Sequence, residues 1–359
     1  MTGSGESRVR TVNDTSPGRH MAAEVAEQPD VLAALVRARS DIAAVAETIA
    51  ARPPRFALLA ARGSSDHAAL YAKYLVEVLL GLPTGLVSPS TTTLYHAEQD
   101  LTDVLLISVS QSGGSYDLLE VTQAARARGA LTVAVTNTPS SPLQEAAELS
   151  VDVRAGTEHA VAATKTYTAT LLALYLLVDA VRGGRAEHVA DIGDLAARTL
   201  AGAEEDVERA VERYRFADRI LTTARGYSYA TALEGALKLA ETSYLPTRAY
   251  SGADLLHGPV AAVDAETAVL GITSAGRGGE AMRDVLEAVS ERGADLLCVG
   301  SAARAVPSAA LTVPVPESAE EAAPILEVLP MQRLALGLAL ARGVDPDQPR
   351  GLRKVTRTR

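Results

Sequence analysis

Tryptophan is absent from this 359-residue chain, phenylalanine occurs twice and cysteine once. With so few aromatics the core must be built from Ala, Leu and Val, which suits helices packed on parallel sheets. One cysteine excludes an internal disulfide. Cys298 lies in the apolar run 296–299 and reads as a buried structural thiol. No uninterrupted apolar run reaches the ~18 residues of a membrane span. The first residues carry no apolar signal-peptide core, so a cytoplasmic protein is expected. Positive charge is not in excess either. A net charge of −10 argues against a broad nucleic-acid or anionic-membrane surface. Apart from His257, the histidines (His20, His67, His96, His159, His188) show no paired metal spacing, so no metal is expected, and no motif calls for an organic cofactor.

What is present is globular. Hydrophobic residues make up 47% and charged residues 22%, a balance that suggests two domains of ordinary size. The most informative stretch is 104–117, V-L-L-I-S-V-S-Q-S-G-G-S-Y-D. Its apolar start predicts a buried strand, and the pattern after Ser115 (Leu118, Leu119, Val121, Ala124, Ala125) predicts a helix. Between them lie small hydroxyl residues and glycines. Close backbone approach, hydroxyl donors and a helix N-terminus together make a good anion site. By itself the stretch also reads as an ordinary serine-capped βα turn. It is neither a P-loop nor a G-x-G-x-x-G fingerprint.

Taken in order, residues 1–20 are polar and aperiodic and are expected to form a disordered tail. Residues 21–50 follow one amphipathic helical pattern. Strands are expected at 56–60, 85–87, 104–109, 131–135 and 149–153, with helices over 68–80 and 164–181 between and after them. This βαβ alternation over 51–185 predicts a doubly wound α/β domain, and 186–214 a helical connection.

The pattern then returns. Ala61-Arg62-Gly63 recurs as Ala224-Arg225-Gly226, an offset of 163 residues, each after an apolar strand and before a helix. Ser110 and Ser274 each precede an Arg-Gly-Ala by 18 residues, at an offset of 164. The chain therefore reads as a duplicated domain, with the second copy over 215–343 and a tail over 344–359. Only the first copy keeps the row of donors Ser110-Gln111-Ser112. The second has Ser274-Ala275-Gly276, so one phosphate-type site per chain is expected, in the first copy.

The second copy carries charge instead. In the helical stretch 231–244, Glu234, Lys238 and Glu241 share one face. A solvated ion pair would look the same. His257-Gly258-Pro259 sits on a turn where a ring can project into a cleft. The end of the chain, D-Q-P-R-G-L-R-K over 347–354, is extended and basic, and also reads as a solvated tail.

Together, E-Q-P near the start, S-Q-S-G, A-A-T-K-T, A-L-E-G-A-L-K-L-A-E, L-H-G-P and D-Q-P-R-x-L-x-K resemble the sugar isomerase (SIS) family. Within it they look most like the isomerase half of glucosamine-6-phosphate synthase and its deaminase relatives, over residues 21–359. The resemblance implies two tandem doubly wound, flavodoxin-like SIS lobes, each a parallel sheet flanked by helices, and a homodimer. It implies that Ser110, Gln111, Ser112 and Ser115 bind the sugar phosphate. Ser64 and Ser65 would form a partner loop, and Val161 and Ala162 would line the sugar. Glu241 would be the base between C1 and C2. His257, delivered from the neighbouring subunit, would open the ring. Lys354 would form an imine or assist ring opening, and Glu234 and Lys238 would be supporting charges.

The chemistry fits these residue types. A carboxylate suits an acidic C–H beside a carbonyl, His suits proton transfer near neutrality, and a lysine amine can form an imine. Gly114, Ala163, Gly351 and Arg353 depart from the synthase pattern. The only cysteine reads as a strand residue, and no glutaminase domain is expected before the lobes. The expected activity is therefore deamination of glucosamine 6-phosphate to fructose 6-phosphate without glutaminase activity. The other readings are dehydration of N-acetylglucosamine 6-phosphate, deglycation of a fructosyl-amine phosphate, and a non-catalytic sugar-phosphate sensor. No nucleic-acid or membrane partner is expected.

Overall fold

The computed structural model describes residues 16–354. Ten strands form two five-stranded sheets, parallel throughout. The first sheet comprises β1 (Phe56–Ala60), β2 (Thr84–Leu86), β3 (Val104–Val109), β4 (Leu131–Thr136) and β5 (Leu149–Asp152), in the order β2-β1-β3-β4-β5. The second comprises β6 (Ile220–Ala224), β7 (Arg248–Ser251), β8 (Ala268–Ile272), β9 (Asp295–Val299) and β10 (Leu311–Val313), in the order β10-β9-β8-β6-β7. Renumbered within its own lobe, the second order is the first one read from the other edge. The duplication inferred from two short repeats thus extends to the full sheet topology. Central strands β3 and β4 are buried at every position, as parallel strands covered on both faces must be.

Two helices are apolar all round because they lie between layers. Lys165–Val181 is buried along nearly its whole length. Ala323–Ala341 has the length and apolarity of a membrane span, yet 78% of its apolar window is buried inside the protein. The sequence had suggested no such segment because Glu327, Gln332 and Arg333 interrupt the run. Cys298 lies in β9, fully buried, and burial pushes its thiol up to about 12.

Three boundaries differ from expectation. Residues 1–15 of the expected tail lie outside the described residues. Its last part is ordered by the far end of the chain: Gly18 N–H donates to Asp345 (2.9 Å), and His20 and Met21 N–H donate to Asp347 (2.8 and 3.0 Å). These carboxylates cap a helix, Arg19–Ala26, that begins inside the expected tail. The single helix expected over 21–50 is three, Arg19–Ala26, Gln28–Arg37 and Arg39–Ala51, with breaks at Glu27 and Ala38. The connection over 186–214 is likewise two helices, Ile192–Gly202 and Glu204–Tyr214.

Candidate functional site

In a sheet of order 2-1-3-4-5 the chain reverses direction between the first and third strands, and the crevice beyond their carboxyl ends is where ligands bind. Here β1 and β3 pair, with Ala60 opposite Ser108. Their outgoing loops, one carrying Ser64 and Ser65 and the other Ser110–Ser115, are therefore neighbours.

The 110–115 loop is held by its backbone. Ser110 is buried and its Oγ accepts from Gly113 N–H at 3.2 Å. The Gln111 carbonyl accepts from Asn137 N–H at 3.1 Å and Thr138 Oγ1 at 3.2 Å. Gly113 has φ 60°, and a Cβ there would lie 2.1 Å from Ser141 Oγ, so only glycine fits. Ser112 Oγ accepts from Gly114 N–H at 3.3 Å. Ser115 stands at the N-cap of the helix Tyr116–Ala127, yet its side chain makes no capping bond. Its hydroxyl and the Gln111 side-chain amide have no hydrogen-bond partner among the described residues. The capped turn that the sequence also allowed is not what forms.

The second lobe reaches this crevice through one helix, Tyr229–Ser243, which packs against Ser64–Leu79. Ser64 Oγ donates to Glu234 Oε1 at 2.9 Å, and His67 Nδ1 lies 2.8 Å from Glu234 Oε2. Lys238 Nζ donates to Ser64 Oγ at 3.2 Å and to Glu241 Oε2 at 2.5 Å, and lies 3.3 Å from Glu234. The solvated-pair alternative fails here: the Glu234 and Lys238 side chains are 0% and 1% exposed, while Glu241 keeps 24%. Burial alone would push the Glu234 carboxyl up, but Lys238, His67 and Ser64 together hold it below the usual carboxylate range. Burial would likewise lower Lys238, and the two glutamates outweigh it and raise it.

The tail closes on the segment that follows β5. Lys354 Nζ donates to Glu158 Oε2 at 2.6 Å and to the Ala160 carbonyl at 2.7 Å, which places it beside half-buried Val161 and buried Ala162. Glu158 also accepts from Thr164 N–H and from Thr166 N–H and Oγ1. Burial works against its charge, and Lys354 with these donors holds the carboxyl low. His257 is not brought to the cluster within one chain. It is exposed at the end of the short helix Gly252–Leu256, without a hydrogen bond to its ring among the described residues. Ser65 is half-buried at the start of Ser64–Leu79.

Several contributors were not singled out in the sequence. His67 could have been found, because it lies three residues after Ser64 on the same helical face. Glu158 and Glu24 could not, since no spacing links Glu158 to Lys354 and Glu24 is held by loop amides. Glu24 accepts from His159 and Ala160 N–H, and its carboxyl is raised mainly by burial. The E-Q-P and T-K-T motifs pair with each other. Lys165 Nζ donates to Glu27 at 2.6 Å, and Gln28 joins buried Gln332 and Thr168 at 2.8 and 2.7 Å. Those two motifs bind the first helices to the core.

The model of the SIS domain matches residues 53–180 and again 214–342. A glutamine–fructose-6-phosphate aminotransferase (isomerizing) of Gloeobacter violaceus is 38% identical over 308 residues, covering 81% of this chain and 50% of that protein. The chain thus spans about half the length of the curated relatives it matches. Among solved structures, a Silicibacter pomeroyi protein assigned as a phosphosugar isomerase superposes with a TM-score of 0.84 at 31% identity, covering 91% of this chain and 99% of that one. A glucosamine-6-phosphate deaminase of Thermotoga maritima, at 22% identity and a TM-score of 0.77 over 94% of this chain and 100% of that one, shares the fold. With both lobes matched and the topology duplicated, the chain belongs to the SIS-domain family.

Proposed function

We propose that this chain is an aminosugar-phosphate isomerase-deaminase that converts glucosamine 6-phosphate and water to fructose 6-phosphate and ammonia. The observation that carries the reading is the charged cluster across the lobes: Ser64 beside the phosphate-type loop, bonded to Glu234 and Lys238, with Lys238 holding Glu241 at the rim. It would tie the point where the sugar is anchored to the group that moves its proton.

In this reading Ser110, Gln111, Ser112 and Ser115 hold the phosphate, and the remote anchor positions C1 and C2. Val161 and Ala162 line the sugar, with Ser65 beside its hydroxyls. His257, supplied across a homodimer, opens the ring. Glu241 carries the proton between C1 and C2, its partly exposed carboxylate fixed by Lys238. Lys354 assists at the carbonyl. When the C2–N centre reaches the imine level, water adds to carbon and ammonia leaves, so atoms balance without a redox partner. The similarity to isomerising aminotransferases supports the same proton shift.

The test is to incubate the purified chain with glucosamine 6-phosphate and, separately, its N-acetyl form. Ammonia and fructose 6-phosphate in equal amounts from the free amine are expected. An unsaturated product from the acetylated sugar, without ammonia, would replace this reading with a dehydratase. Tight binding without turnover of either would replace it with a sensor.

A further inference from the structure

The 110–115 loop offers a phosphate only neutral donors, whereas a phosphate monoester near pH 7 carries close to two negative charges. The cation of the neighbouring cluster is committed. Lys238 is enclosed by Ser64, Glu234 and Glu241. Arg62 differs. It follows β1, on the turn that leads to Ser64 and Ser65. Its Nε donates to Asp117 Oδ2 at 2.7 Å, with Asp117 2% and Arg62 48% exposed. Asp117 lies in the first turn of the helix that the 110–115 loop opens. The guanidinium is thus tethered by one nitrogen at the mouth of the anion site. Its two terminal nitrogens, the fork that suits phosphate oxygens, have no partner among the described residues.

The second lobe provides a control. Arg225 repeats Arg62, but the position 164 residues beyond Asp117 is Ala281. There the helix N-terminus is taken by the chain's own Glu320, which accepts from Arg277 N–H at 3.0 Å and Gly278 N–H at 2.7 Å. Among the described residues Arg225 has no such tether.

We propose that Arg62, aimed by Asp117, binds the phosphate dianion of the substrate and sets the preference for phosphorylated over free sugar. This rests on the proposed aminosugar-phosphate reading. Arg62→Gln is expected to weaken binding of glucosamine 6-phosphate, and raise its KM, by about 10- to 100-fold, with kcat little changed. The loss should be larger at pH 7.5 than at pH 5.5, because the phosphate gains its second charge near pH 6. Arg62→Lys should recover part of it, and Asp117→Asn should lose less than Arg62→Gln.

Calorimetric titration with glucosamine 6-phosphate and with inorganic phosphate separates this proposal from the activity. If the unaltered chain releases no ammonia but Arg62→Gln still weakens phosphate binding with that pH dependence, the activity fails and the Arg62 site stands. If ammonia is released and folded Arg62→Gln binds and turns over like the unaltered chain, the Arg62 proposal is overturned. Absence of phosphate and sugar-phosphate binding by the unaltered chain overturns it as well.

Discussion

Two glutamates of the second lobe are buried against serines that follow strands, Glu234 against one from the first lobe and Glu327 against two of its own, and the two carboxyls are shifted in opposite directions. Glu234 accepts from Ser64 at 2.9 Å but also meets Lys238 and His67, and its carboxyl is held low. Glu327 accepts from Ser274 at 2.5 Å, Ser228 at 2.9 Å and Thr231 at 3.2 Å. No cation pairs with it among the described residues, and burial pushes it up to about 7, with Glu320 adding to the rise. Glu320 also occupies the second lobe's helix N-terminus. In the first lobe the corresponding loop stays open. The lesson is that one duplicated fold supplies two versions of the same βα loop, and that in the second a carboxylate of the chain takes the helix N-terminal donors.

The sharpest way to break the comparison is at the open side. Glu241→Gln is expected to lower turnover by about 10²- to 10⁴-fold, the range for losing a positioned base, while sugar-phosphate binding persists. Full turnover in that variant would remove Glu241 from the mechanism. Next, Lys238→Met leaves Glu234 buried without its ammonium. Removing one partner of a buried pair costs about 3–5 kcal/mol, so a large fall in the denaturation midpoint is expected. The same substitution at a solvated pair would cost less than 1 kcal/mol, and a loss that small would contradict the buried network.

Much of this was legible in the sequence, for reasons that particular residues make plain. The central strands read clearly because two-sided burial leaves no polar alternation in 104–109. The duplication was visible because Ala-Arg-Gly and Arg-Gly-Ala mark strand ends that the topology repeats. Edge strands such as β7, R-A-Y-S, carry no such signal. Contacts set by tertiary approach were not legible either. Glu158 against Lys354, Asp347 on the first helix and Glu320 on Arg277 each join segments whose spacing encodes nothing about the other. The opposite behaviour of Glu234 and Glu327 depends on whether a lysine lies one helical turn away, which the sequence does show, and on burial, which it does not.

A smaller effect sharpens the contrast through pH. Because Glu327 binds its proton more tightly folded than unfolded, its contribution to stability is full below the ordinary glutamate value near 4.3. It is lost as pH rises toward 7, by roughly 3 kcal/mol in all. Glu234 has the reverse sign: its contribution is present above that ordinary value and is lost as pH falls through its lowered one. Glu327→Gln, which keeps the shape without the charge, should therefore gain stability relative to the unaltered chain between pH 5 and pH 8 in urea titrations. An unchanged difference across that range would mean that Glu327 does not titrate there.

The smallest expected effect tests the seal itself. In Glu320→Ala the N–H groups of Arg277 and Gly278 lose their acceptor, at a cost of about 1 kcal/mol, as for other lost caps. If the second lobe is a plugged version of the first, that vacancy should behave as an anion site. Millimolar inorganic phosphate should then restore part of the lost melting temperature in Glu320→Ala, beyond any effect it has on the unaltered chain. Sodium chloride at equal ionic strength should not. Any phosphate that the first lobe takes acts in both proteins, so only the difference between them reports on the second. Equal responses would mean that Glu320 caps an ordinary helix and that the lobes differ in more than what fills their donors.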